Sequence, residues 1–384
     1  MSAVPFSQPL VAGTELTRIR EAIAAGGLAG GGRFTGLCED WLATRTGARR
    51  ALLSHSGTGA LEAAAMLGAL APGDEAIMPS FGYPTMASAV VRQGATPVFV
   101  DVDEATLNVD PGAVRAAVGP KTKAVFAVHY GAVACAMDEL VEIVRAYGLL
   151  LIEDAAHCLL ADCDGRPLGS IGDLGALSFH QTKNVTCGEG GALLVNDPVL
   201  VERAEVIWEK GTDRARFLRG EVDRYRWIDV GSSFGASELS AAFLYAQLEV
   251  AERVTALRRG LWRRYHEGFA KLEADGLVRR PAAPSGHAHN GHLYYLILPS
   301  PLARDAFVAD LHAAGIETAS HYQPLHDSPA GSRFGRTAGR LVHTEQTSRT
   351  LVRLPLFADL GEESVDRVIE ASYHAAGRAV EASA

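Results

Sequence analysis

Between residues 50 and 197 the chain alternates short apolar runs with longer stretches whose apolar residues recur every three to four positions. The runs at 51–54, 75–78, 97–100, 124–129, 149–152, 176–179 and 192–195 predict strands, since a strand buried on both faces reads as continuously apolar. The stretches at 58–70, 84–92, 111–118 and 137–147 predict helices between them. This alternation marks crossover units on a parallel sheet, so the expected fold class is α/β with a large, mostly parallel, seven-stranded sheet domain.

Past Ser233 the texture changes. Residues 236–269 contain no proline and no strand-like run, and they predict one long helical stretch. The segment 281–292 (PAAPSGHAHNGH) reads as a linker, and apolar 293–298 and amphipathic 301–314 follow it. Two domains are expected: a large α/β domain over 1–250 and a smaller α+β domain over 251–384.

Composition narrows the partners. Of the 384 residues, 48% are hydrophobic and 21% charged, which suits a globular chain with a sizeable core. Lys plus Arg number 36 against 45 Asp plus Glu, and a formal charge of -9 offers no basic patch to nucleic acid or anionic lipid. Residues 1–10 hold no Lys, Arg or apolar run, and no stretch approaches a membrane span, so a cytoplasmic location is expected. Five scattered cysteines without a CxxC pair argue against a disulfide framework or a zinc site, and no metal is expected. Only five lysines stand against 31 arginines, which shortens the list of lysine nucleophiles.

In a parallel sheet, ligands bind where the strands' C-terminal ends converge, so chemistry is sought just after each predicted strand. Ser56-Gly57-Thr58-Gly59 opens a helix there and suits either a phosphate or an ordinary N-cap. Asp154, after 149–152, is either a carboxylate for a cationic ring nitrogen or another cap. Lys183 is the one lysine placed at a strand end beside a glycine-rich turn, Gly188-Glu189-Gly190-Gly191, and those glycines do not spell a nucleotide P-loop. Phe81 and Tyr83 offer aromatic plates or plain core packing. A phosphate turn, a plate, an acid and a lysine on successive strand ends are together the parts that seat pyridoxal 5′-phosphate (PLP).

With those residues in view, the chain resembles the DegT/DnrJ/EryC1/StrS group of PLP-dependent sugar-nucleotide aminotransferases, of the aspartate-aminotransferase fold type I. The likeness runs through Pro72-Gly73-Asp74-Glu75, Met78-Pro79-Ser80, Phe99-Val100-Asp101-Val102, Glu153-Asp154-Ala155-Ala156-His157, Gly188-Glu189-Gly190-Gly191 and Arg353-Leu354-Pro355-Leu356. The resemblance implies that Lys183 is the Schiff-base lysine and proton shuttle and Asp154 the partner of ring atom N1. It implies further that His157 lies near the phenolic oxygen, that Tyr83 stacks on the ring, and that Gly57, Thr58 and Ser178 hold the phosphate. In this group an Asn from a second subunit often completes the phosphate site. Ser233 stands at that place, and a hydroxyl can still donate. A homodimer with active sites at the subunit interface is therefore implied.

The stretches Ser178-Phe179-His180, Gly211-Thr212 and His321-Tyr322-Gln323-Pro324-Leu325-His326 look like the branch that aminates C4 of a dTDP-4-keto-6-deoxyhexose with L-glutamate. On that likeness His180 assists catalysis and His321, Tyr322 and His326 contact the sugar nucleotide. Each of these also reads as a packed, hydrogen-bonded side chain. Lys183 disfavours the related 3-dehydratases, which carry histidine there. Amination at C3 and a non-catalytic sugar-nucleotide or PLP-binding regulator are the alternatives.

Overall fold

The computed structural model describes residues 3–282 and 284–381. Seven strands follow the apolar runs: β1 (Arg50–Ser54), β2 (Glu75–Pro79), β3 (Thr96–Val100), β4 (Thr122–Val128), β5 (Leu150–Asp154), β6 (Leu174–Ser178) and β7 (Gly191–Val195). They lie side by side in the order β1, β7, β6, β5, β4, β2, β3. Only β7 runs against the others, pairing antiparallel with β1 and β6. The middle residues of the strands are apolar because both faces are covered. Ala76, Met78, Phe126 and Ile152 pack with residues of the helices Gly57–Leu67 and Thr85–Arg92. The alternate positions Ile77, Val125 and Leu151 pack with those of Pro111–Ala117 and Met137–Tyr147.

The sheet has an eighth strand, a correction to the seven expected: Arg336–Thr337 joins the free edge of β3 in parallel. It is two residues long and exposed, so it carries no apolar signal. A paired contact from Arg336 Nε and Nη2 to the two carboxylate oxygens of Glu75, at 2.9 and 2.6 Å, fastens it.

The single long helix expected over 236–269 is two helices, Glu238–Leu248 and Ala251–Gly268. Neither proline nor glycine marks the break, and the packing partner changes only after it, along the second helix. Leu244, Leu248 and Ala251 belong to the core around Phe34 and Leu42, whereas Leu261, Trp262 and Tyr265 belong to a second core with Tyr294, Phe307 and Val365. That smaller body holds an antiparallel pair, β8 (Tyr294–Ile297) and β9 (Leu351–Leu354), with the helices Pro301–Ala313 and Glu362–Glu381. Val4, counted with 1–250 from the sequence, packs in this smaller core and bridges to Ile316.

The segment 281–292, apart from residue 283, which lies outside the described residues, is not a free linker. His287–Ala288 pairs with Asp162–Cys163, and Asn290 is buried, donating from Nδ2 to the carbonyls of His157 (2.7 Å) and Leu159 (2.8 Å). Its polar composition, which read as solvated, serves buried hydrogen bonds. Among the described residues no helix is long and apolar enough to cross a membrane.

Candidate active site

One cavity of about 470 Å³ opens where the C-terminal ends of β1, β5 and β6 meet the smaller body. Residues 56–58, Tyr83, Asp154, His157, Ser178, His180 and Lys183 line it from the sheet side, and His292, His321, Tyr322 and Arg353 from the other. The strand register explains the convergence. Ser54 and Ser178 both stand opposite Gly191, and Asp154 stands opposite Val128 and Ala176.

Gly57 begins the helix after β1, and Ser56 caps it by accepting the Gly59 N–H (3.0 Å). The N–H groups of Gly57 and Thr58 stay available to an anion. The turn is crossed so closely by β7 that a Cβ on Gly191 would sit 2.4 Å from Gly57 N; one on Gly57 would lie 3.0 Å from Ser178 Cβ. Small residues on both sides thus shape a cradle into which the Ser178 hydroxyl projects.

Alternation along β5 sends Asp154 toward the cavity and Glu153 to the back. Glu153 is fully buried and accepts hydrogen bonds from the N–H groups of Gly169, Ile171 and Gly172 and from His129 Nε2, at 2.6 to 2.8 Å. That cage fixes the strand end. Asp154 accepts only the Ala156 N–H, at 3.2 Å, among its recorded hydrogen bonds. Burial raises its pKa, with the Ala156 N–H and the charges of Lys183 and His129 pulling the other way. Such an acid is stabilised by a cation brought against it.

Lys183 lies between β6 and β7, on a loop fixed by hydrogen bonds from Gln181 N to Gly188 O and from Phe179 N to Gly190 O. Burial lowers its pKa to about 8, against the pull of Asp154 and with the push of Arg353. About a tenth of the amine is therefore free base at pH 7, far more than for an ordinary lysine.

His157 accepts the Gly131 N–H at Nδ1 (3.3 Å), so its proton sits on Nε2. Its ring stacks on His292 with centroids 4.2 Å apart. Burial, together with nearby cationic side chains, holds both imidazoles well below the ordinary histidine range, so His157 is a neutral donor. His292 Nδ1 in turn bonds Asn184 Oδ1 (2.9 Å).

Tyr83 is 60% exposed, and its ring is open on the cavity side. Phe81 takes the plain core role, packed edge-on to Tyr130 and Tyr322. His180 lines the wall, its Nδ1 accepting the Thr182 N–H (3.3 Å). His321 stacks on Tyr322 at 3.9 Å and bonds Tyr130 Oη through Nδ1 (3.1 Å). Two expected contacts stand apart from this cavity. His326 bonds Ser80 Oγ through Nδ1 (2.7 Å) and lines a neighbouring groove. Ser233 bridges to Glu209, is exposed, and does not line its own chain's cavity.

Arg353, His292 and Phe6 are cavity residues to which sequence reasoning gave no role. Arg353 is one arginine of 31 in a quoted motif, and His292 closes the segment read as a linker. Arg353 Nη1 donates to His321 Nε2 (2.7 Å), while its buried Nε has no hydrogen-bond partner. Among the described residues no carboxylate pairs with it, and burial lowers its pKa.

A sheet of this order with a lysine and an aspartate facing each other at its ligand edge defines a PLP-dependent enzyme of fold type I. The cradle of small residues, the depressed lysine and the buried acid short of a partner all fit that cofactor. The chain matches the DegT/DnrJ/EryC1/StrS aminotransferase family over residues 10–372 and belongs to it. It is 32% identical over 376 residues, 96% of each protein, to the spore coat polysaccharide biosynthesis protein SpsC of Bacillus subtilis. Among solved structures it is similar to the aminotransferase TlmJ of Streptoalloteichus hindustanus, with 30% identity and a TM-score of 0.90 over 98% of this chain and 100% of that one. It is also similar to Spr1654 of Streptococcus pneumoniae in its PMP form, with 25% identity and a TM-score of 0.90 over 99% of each chain. The protein is a PLP-dependent aminotransferase.

Proposed function

We propose that the protein transfers the amino group of L-glutamate to C4 of a dTDP-4-keto-6-deoxyhexose, giving a dTDP-4-amino-4,6-dideoxyhexose for a natural product or surface glycan. The observation that carries the donor half is Arg353, a guanidinium with no acidic partner among the described residues, facing the same cavity as Lys183. It is suited to an amino acid's α-carboxylate. A sugar acceptor is supported by SpsC, whose name places it in polysaccharide biosynthesis, and by Spr1654, described as a sugar aminotransferase.

Bound PLP supplies the electron sink for the carbanion. Lys183 anchors it, and as a free amine takes the proton from the donor's α-carbon, a role that contributes typically ~10²–10⁴-fold. Asp154 would hold a proton on N1, His157 Nε2–H would donate to the phenolic oxygen, and residues 57, 58 and 178 would hold the phosphate. His180, His321 and Tyr322 flank the acceptor. We assign the homodimer to this reading as well. Leu218, Trp227, Ile228 and Val230 are exposed apolar residues leading to Ser233, which a second copy would bring to the phosphate.

The test is incubation with dTDP-4-keto-6-deoxyglucose and L-glutamate, with NMR couplings read on the product. An amine at C4 is expected. An amine at C3 overturns the regiochemistry, and no bleaching of the visible band by glutamate overturns the donor.

A further inference from the structure

The chain's first described residues cross the cavity. Val4 bridges to Ile316 in parallel: its N–H donates to Gly315 O (2.8 Å), and its carbonyl accepts from Glu317 N (3.0 Å). That same segment pairs at Ala319 with Arg353, whose N–H donates to Ala319 O (2.7 Å). Arm, middle segment and β9 thus form one backbone ladder. Two residues past Val4, the Phe6 N–H donates to the Glu317 carboxylate (2.8 Å), and the Phe6 ring lies 4.8 Å from Arg353 Cζ. Phe6 and Ser7 line the cavity. The arm is then tied to the large body, where buried Gln247 Nε2 donates to Leu10 O (3.0 Å).

From this geometry we infer that Phe6 is a specificity-determining positioning residue, which holds Arg353 ready for the carboxylate of the amino donor. The inference rests on the reading of Arg353 given above. A ring whose π face lies under Arg353 Cζ attracts the cation without taking any of its N–H groups, which it leaves to the ligand. His321 takes one Nη1 proton, so the second Nη1 proton and Nη2 remain. Phe6 also keeps water off the cation, which strengthens its pull on a carboxylate. Because the arm is fastened to both bodies, this platform is set by backbone pairing and not by the side chain alone.

The test uses the PLP-loaded enzyme and follows bleaching of its visible band by whichever of L-glutamate, L-glutamine or L-aspartate reacts fastest. Phe6→Ala is expected to raise the half-saturating donor concentration by about five- to thirty-fold. Its saturating rate constant should stay within about two-fold, and Phe6→Trp should restore wild-type behaviour. Unchanged half-saturation in Phe6→Ala, or an equal loss in Phe6→Trp, overturns the inference. Arg353→Gln separates the two layers. If it leaves donor binding unchanged, the carboxylate reading falls and this inference with it. If it weakens donor binding while Phe6→Ala does not, this inference alone falls.

Discussion

Lys183 owes its reactivity to where it is held: burial takes its amine down to about 8, so the ammonium form gives way within the physiological range. The free-base fraction rises as pH climbs toward that value and levels off above it. The rate at which apoenzyme regains its visible band on adding PLP should therefore climb about tenfold per pH unit below about 8 and then flatten; a rate independent of pH would contradict this. Lys183→Ala should form no covalent adduct on borohydride reduction and lose the band altogether. Asp154→Asn should keep the fold and the covalent link yet lose roughly 3–5 kcal/mol of transition-state stabilisation, about a hundred-fold or more in turnover, because a buried cation loses its counter-charge. Steady-state kinetics on the PLP-saturated variant check it.

At the scale of elements, the close approach of β7 to the turn after β1 makes Gly191 a position without slack. A methyl there meets backbone at 2.4 Å on both Gly57 N and Ser56 C. Backbone cannot swing aside as a side-chain tip can. Gly191→Ala should thus cost about 1–3 kcal/mol and loosen the phosphate cradle, seen as a lowered melting temperature and faster loss of cofactor on dialysis. The seven central strands were legible because burial on both faces leaves a run that needs no partner to be seen. The Arg336–Thr337 strand was not, since pairing and one ion pair with Glu75 define it. Likewise no proline or glycine announces the halt between Leu248 and Ala251, and both of these residues stay in the same core. Of the cavity, the large-body lining stood out because each residue follows a strand. Arg353, His292 and Phe6 come from segments whose approach depends on how the smaller body docks.

At the scale of the whole molecule, the exposed apolar residues Leu218, Trp227, Ile228 and Val230 set the expected assembly. Sedimentation should give a particle of about twice 40.7 kDa. Trp227→Asp should shift it toward the single chain and weaken PLP retention, as removal of a partner's Ser233 would. The two bodies also divide the labour. Each group assigned to the cofactor on one chain, from residue 57 to Lys183, is mounted on the large body, whereas Arg353 and His321 come from the smaller one. Because the ring's holders and the substrates' holders stand on different bodies, donor and acceptor can succeed one another against one wall while the vitamin-derived ring stays clamped on the other, as a ping-pong exchange of two dissimilar substrates requires.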